Sequence, residues 1–257
     1  MTATDTLPPA TSVLGRGVAL LAAFRPHDDA LGLAEIHRRT GIPKASAHRL
    51  LHQLVDHQLV DRDGDRYRLG LRLFELGALV PRQQGVADAV APVLTRLHAA
   101  TGLTVHLAVL DGTEVVYLHK IEAPAGPAVA SRTGGRMPAH CTALGKALLA
   151  HTPDATAEVL AAGLRRRTPR TVVTPGRFLG QLAAARHLGH ARDDEEARVG
   201  ISCLAAPVLD ARRRPLAAVS VTGRTPRMAT ASPAAAVHAA AADAARLLGT
   251  PPPHPGG

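Results

Sequence analysis

The stretch Thr40–Val55, "TGIPKASAHRLLHQLV", decides how the chain is read. Stepping 100° per residue from Ala47, the residues Ala47, Leu50, Leu51, Leu54 and Val55 fall at i, i+3, i+4, i+7 and i+8. That is the apolar stripe of an amphipathic helix. Ala45, Arg49, His52 and Asp56 lie on the opposite side, with Ser46 and Gln53 on one edge and His48 on the other. A helix that only fills a core has no need to open with Pro43, Lys44 and the small residues Ala45 and Ser46. A helix that must approach another molecule closely does. Pro43 suits a first turn, where its missing N–H is not needed. Ala45 and Ser46 let the helix end sink into a major groove, and the free N–H groups and dipole at that end favour a phosphate. Lys44 adds charge there, and Arg49, one turn deeper, is placed to reach guanine O6 and N7.

Upstream, Leu33, Ile36 and His37 stripe a second short helix, and Gly41 makes a tight corner, so the pair reads as a helix-turn-helix. Downstream, "LVDRDGDRYRLG" (59–70) reads as a hairpin turning through "DGD". It carries Arg62, Arg66 and Arg68, a wing suited to backbone or minor-groove contacts. The candidate DNA-binding residues are therefore Pro43, Lys44, Ala45, Ser46, His48, Arg49, Arg62 and Arg66. The plainer alternatives are a helical hairpin with solvated charges, or a winged helix used for protein contact. Salt dependence separates the last from DNA binding, because phosphate contacts weaken steeply as salt rises.

The net charge of +9 invites a nucleic-acid partner, but its distribution does not carry the argument. Residues 1–80 hold ten Lys+Arg against nine Asp+Glu, so the surplus lies further along the chain and local placement must decide. Aromatic residues are only 2% of the chain, which leaves the core to Leu, Val, Ala and Ile. Two cysteines, Cys141 and Cys203, make no disulfide framework and suit a reducing compartment. The start "MTATDTLPPATS" does not read as a signal peptide, and no apolar run approaches a membrane span. A cytoplasmic protein with no membrane partner is expected.

Leu71–Gly102 reads as a long helical connector with Pro81 and Pro92 as breaks or bends. From about Leu103 the period changes. "LTVHLAVLDGTEVVYLHKI" (103–121) is a pair of strands, and "ISCLAAPVLDARRRPLAAVSVTG" (201–223) is another, turning through a basic tip. Between them lie two helices, "CTALGKALLAH" (141–151) and "RFLGQLAAARHLG" (177–189), the latter ending at Gly189 as C-cap. An Ala-rich helix started by Ser232 and Pro233 closes the chain. The residues alone give a helical domain with a hairpin, then an α+β domain.

The sequence resembles the IclR family of bacterial transcription regulators from about Ser12 to Arg227. "IPKASAHRLLHQLVDHQLVDR" and "YRLGLRLFELG" follow that family's winged-helix pattern. "RMPAHCTALGKALLA", "LRRRTPRTVVTP" and "HARDDEEARVGISCLAAPVLDARRRPLAAVSVTG" resemble its later segments, in the same order. The resemblance implies an α+β chain: an N-terminal winged helix-turn-helix joined by a linker helix to a GAF-like α/β effector-binding domain. These are expected at 12–72, 73–88 and 89–249, and the ends 1–11 and 250–257, with "LPPATS" running from the first and "PPPHPGG" in the second, read as disordered. The resemblance also implies homodimers or dimers of dimers on pseudo-palindromic double-stranded DNA, often repressors modulated by small organic acids; an activator of the same architecture is the alternative. Carried over by position, the effector-binding residues are Ala143, Leu144, Asp193, Cys203, Ser220 and Thr222. Departures from the pattern are Gln58 where Gly is common, Ala139 and Cys141 for Leu and Ala, and Ser202 for Arg.

Each effector residue also has a plain reading. Cys203 suits a small buried apolar position, Ser220 and Thr222 suit ordinary strand positions, and Asp193–Glu196 suits a solvated acidic loop. No catalytic residue is assigned. His140 and Cys141 are adjacent, and adjacent side chains rarely meet as base and nucleophile. No metal ligand or cofactor is assigned either, for no paired CxxC is present. Convergence of His106, His119, His140 and Cys203 in three dimensions is the one arrangement left open.

Overall fold

The computed structural model describes residues 12–124, 126–127, 131–231 and 233–249, with the backbone alone at 81–84. The expected disordered ends and the helix-starting Ser232 lie outside the described residues. The chain divides between Pro81 and Arg82 into two compact units.

The first unit contains α1 (Val13–Ala22), β1 (Leu31–Gly32), α2 (Leu33–Thr40), α3 (Lys44–Asp56), β2 (Val60–Asp63), β3 (Arg66–Leu69) and α4 (Arg72–Ala78). Ser12 caps α1 through its hydroxyl, which accepts from the Gly15 N–H at 2.9 Å. Gly41 ends α2 at φ 70°, a left-handed turn that glycine adopts without a Cβ penalty. Leu20, Ile36, Ala47, Leu50, Leu51, Val60 and Tyr67 make the core, so the expected stripe of α3 points inward. The three short strands pair antiparallel in the order β1–β3–β2. Gln58 sits at φ 60°, a strained conformation for a residue with a side chain. Gly70 closes on the same corner: a Cβ there would stand 2.2 Å from the Gln58 carbonyl oxygen.

The helical connector is not continuous. α4 ends at Ala78, and Pro81 opens α5 (Pro81–Thr101), which runs on past Pro92. The expected break at Pro81 is present, while Pro92 is accommodated inside the helix.

The second unit is built on one antiparallel sheet in the order β6–β5–β4–β9–β8–β7. Its strands are β4 (Thr104–Asp111), β5 (Glu114–Ile121), β6 (Arg136–Pro138), β7 (Ala191–Asp194), β8 (Ile201–Leu209) and β9 (Pro215–Arg224). A 3₁₀ turn at Ala139–Cys141 leads into α6 (Ala143–Leu149), followed by α7 (Pro153–Ala162) and α8 (Pro175–Leu188); α9 (Thr225–Ala231) and α10 (Ala234–Gly249) end the unit. Alternation along the strands sorts the residues into two layers. Val105, Leu107, Leu204, Val219 and Val221 pack with α5 and α10. Ala108, Ala205 and Ala218 pack with α6 and α8, where Leu144, Phe178 and Leu182 supply the bulk. Gly145 lets α6 approach the 3₁₀ turn, since a Cβ would stand 2.2 Å from the Ala139 carbonyl oxygen. No helix among the described residues is long and apolar enough to cross a membrane.

Candidate functional site

The leading end of α3 is on the surface. Pro43, Lys44, Ala45, His48 and Arg49 are exposed and Ser46 is half-buried, while Ala47 and Leu50 between them are buried. The geometry makes one correction: Pro43 is the residue before the first turn, with ψ at 137°, rather than inside it. Its carbonyl still accepts from the Ala47 N–H at 2.9 Å, so it starts the helix without entering it. Within α2, Glu35 accepts from Arg38 and Arg39. These bonds, that from Arg38 first, hold the Glu35 carboxyl down to about 2. Arg39 also bonds the Ala23 carbonyl at 2.9 Å, tying α2 to the end of α1.

The wing arginines differ in freedom. Arg62 bonds the Gly64 carbonyl at 2.9 Å, meets His52 Nε2 at 3.3 Å and lies over the Tyr67 ring. It therefore ties the wing to the exposed face of α3. Arg66 donates to the Ala30 carbonyl at 2.5 Å, and Arg68 pairs with Asp63 at 2.6 Å. All three are exposed.

The second site is a polar row on the α6 side of the large sheet. Register sets it: Asp193 faces Cys203, Cys203 faces Thr222, and Ser220 faces both Ala205 and His106. Asp193, Ser220 and Thr222 are buried and Cys203 is half-buried. Ala143 and Leu144 of α6 are buried in the same layer. The fold thus brings all six expected effector residues to one side of the sheet. Thr142 caps α6 by accepting from the Gly145 N–H at 3.2 Å.

Burial pushes the Asp193 carboxyl up to about 7, partly opposed by the Lys146 charge and by hydrogen bonds from the Glu196 and Ala197 N–H groups. Burial likewise raises the Cys203 and Cys141 thiols above their ordinary range.

The acidic run is not the solvated loop of the plain reading. Glu196 is buried, and its carboxylate receives Lys146 Nζ at 2.5 Å, Gln181 Nε2 at 3.1 Å and the Val172 N–H at 3.3 Å. Asp193 Oδ1 receives the Glu196 N–H at 2.7 Å. Only an oppositely charged, hydrogen-bonded partner makes such burial tolerable. Sequence reading missed Lys146 and Glu196 as partners because fifty residues separate them. It also missed His106 as a member of the row. That histidine sits two positions from Thr104 and Ala108 on one strand, and this alternation was the available signal.

His140 Nε2 bonds the Arg165 carbonyl at 2.9 Å, and Cys141 Sγ meets the Pro138 carbonyl, so the two do not form a nucleophile pair. Among the described residues no three His, Cys, Asp or Glu side chains gather for a metal.

Comparison with known proteins agrees with both units. Residues 13–64 match the IclR helix-turn-helix domain, and 79–249 match the model described as bacterial transcriptional regulator IclR C-terminal. The class is a DNA-binding transcriptional regulator. The chain belongs to the IclR family. It is 35% identical to the HTH-type transcriptional regulator XynR of Escherichia coli, over 83% of this chain and 86% of that one. It is also 35% identical to the glycerol operon regulatory protein of Streptomyces coelicolor, over 84% and 85%. A solved IclR homolog from Microbacterium hydrocarbonoxydans, complexed with 4-hydroxybenzoate, superposes with a TM-score of 0.83 at 27% identity, covering 92% of this chain and 99% of that one. These relatives are regulators or regulator homologs, not enzymes.

Proposed function

We propose that the protein is a transcriptional repressor whose operator binding is modulated by a small organic acid. The observation that carries the first half is the exposed leading end of α3, where Pro43, Lys44, Ala45 and Arg49 stand clear of a core formed by the same helix. Ser46 and His48 flank that end, and Arg62 and Arg66 extend it on the wing. Phosphate contacts fix the docking, and Arg49 reads a base edge. The acid would bind along Asp193, Cys203, Ser220 and Thr222, with Ala143 and Leu144 as the apolar wall. Ser220 and Thr222 offer two hydroxyls on one face. The solved relative bound to 4-hydroxybenzoate, itself a small organic acid, supports this reading.

The working unit is a homodimer or a dimer of dimers. Val13, Leu14 and Val18 on α1, with Leu71, Phe74 and Leu79 at α4, leave apolar surface exposed. A second copy would cover it. Each dimer then sets two α3 helices in successive major grooves of a pseudo-palindrome, roughly one helical turn apart. The acid acts by preferring one arrangement of the DNA-binding heads, and that difference in affinity is the switch.

A genome-wide footprint of the protein, followed by release assays on the bound promoters, tests this. Ser220→Ala combined with Thr222→Val is expected to abolish release by the effector acid. Release that survives the double substitution contradicts the assignment of the site.

A further inference from the structure

Two histidines outside the polar row meet where α8 gives way to β7. His190 lies between those two elements, and His238 lies on α10, the helix packed on the other face of the sheet. Their ring centroids are 5.0 Å apart with the planes tilted by 48°, and His190 Nδ1 stands 3.1 Å from His238 Nε2. Gly189, at φ 72°, turns the chain sharply between α8 and His190. Its backbone lies against the same nitrogen, for a Cβ there would stand 3.6 Å from His238 Nε2. Both histidines are half-buried, so packing holds the rings while water still reaches the pair.

The spacing admits two chemistries. Between neutral rings, one facing nitrogen donates its N–H to the other. The same two nitrogens can instead share a metal ion. Two imidazole nitrogens bound to zinc at about 2.0–2.1 Å, across a tetrahedral angle, stand about 3.3–3.4 Å apart. The pair needs only a slight opening from 3.1 Å to reach that span. Among the described residues no third histidine, thiol or carboxylate gathers with them, so water fills the remaining positions. The other histidine pair is less suited. His48 and His52 on α3 have centroids 4.3 Å apart, but Arg62 stands 3.3 Å from His52 Nε2 and its fixed charge opposes a cation.

We propose that His190 and His238 form a ligand site separate from the polar row, a two-histidine clamp for a borderline divalent transition ion such as zinc, completed by water. On binding, the proton between the rings moves to the far nitrogen of the ring that carries it, so both imidazoles ligate in the neutral form. Magnesium and calcium, which prefer oxygen ligands, are not held. The clamp ties α10, on one face of the sheet, to the start of its edge strand β7.

Calorimetric titration of the full chain with zinc chloride tests the proposal, in the wild type, His190→Gln, His238→Gln and the double variant. Glutamine keeps hydrogen-bonding capacity but is a poor zinc ligand. The wild type is expected to bind one zinc equivalent that each single substitution weakens by about tenfold or more, because losing either arm ends chelation. The double variant should then bind no more weakly than either single one. Carbethoxylation of the wild type, mapped by mass spectrometry, locates the site without any substitution: zinc should protect His190 and His238 together. Zinc binding shared equally by all four proteins overturns the proposal, as does protection of other histidines while this pair stays reactive. So does a double variant weakened by the product of the two single losses, which marks independent ligands, or a wild type that takes up no zinc.

Discussion

Two buried residues at opposite ends of the polar row titrate in opposite senses. Burial raises Asp193 to about 7 from an ordinary 3.8, and burial, with Lys120 adding to it, lowers His106 to about 3 from 6.5. Asp193 holds its proton more tightly folded than unfolded. Its contribution to stability is therefore full below its unfolded value and is lost as pH rises toward about 7. His106 holds its proton less tightly when folded. Its contribution is full above 6.5 and is lost as pH falls toward about 3. Across the shared window the slopes oppose. Relative to wild type, Asp193→Asn should make stability rise more steeply with pH, and His106→Gln should make it fall. Denaturant unfolding across that window checks this, and two variants that both track the wild-type profile contradict it. The legible part of this site was local: Ser220 and Thr222 share a face because they are two apart on a strand. The Lys146–Glu196 pair and the place of His106 depend on which helices, loops and strands become neighbours, which spacing along the chain does not encode.

At the scale of elements, the helix-turn-helix was readable because its signals are short-range. The stripe of α3, the corner at Gly41 and the turn at Gly64 each follow from a few consecutive residues. Pro43 was placed one residue too deep, since proline is compatible with both the capping position and the first turn. Pro92 was read as a possible break, yet α5 continues through it and buries Val90, Val93 and Leu94. Burial of that face outweighs the missing hydrogen bond. Gln58 is a local cost of the opposite kind: its positive φ is offset by the Gln58 and Leu59 N–H groups, which bond the Val55 and Leu54 carbonyls at 2.8 and 2.9 Å and close the end of α3. Gln58→Gly should stabilise the winged helix by about 1 kcal/mol. Thermal unfolding reads the gain, and an unchanged or lower midpoint would show that the corner is held by its side chain.

For the whole molecule, function follows from dividing labour between two units with separate cores. The charge surplus lies in residues 81–257, so overall basicity does not explain a DNA-binding role. What does is a helix that spends one face on its own core and presents the other. We propose that the slim end of α3 enters a major groove with Arg49 reading a base. The most direct test is the affinity of wild type and Arg49→Ala for a footprinted promoter and for an unrelated duplex, as salt is raised from about 50 to 200 mM. The account predicts that the wild type loses affinity steeply for both duplexes. Arg49→Ala should lose roughly 1–3 kcal/mol on the promoter alone. Equal promoter binding by the two proteins, or binding that ignores salt, would contradict it.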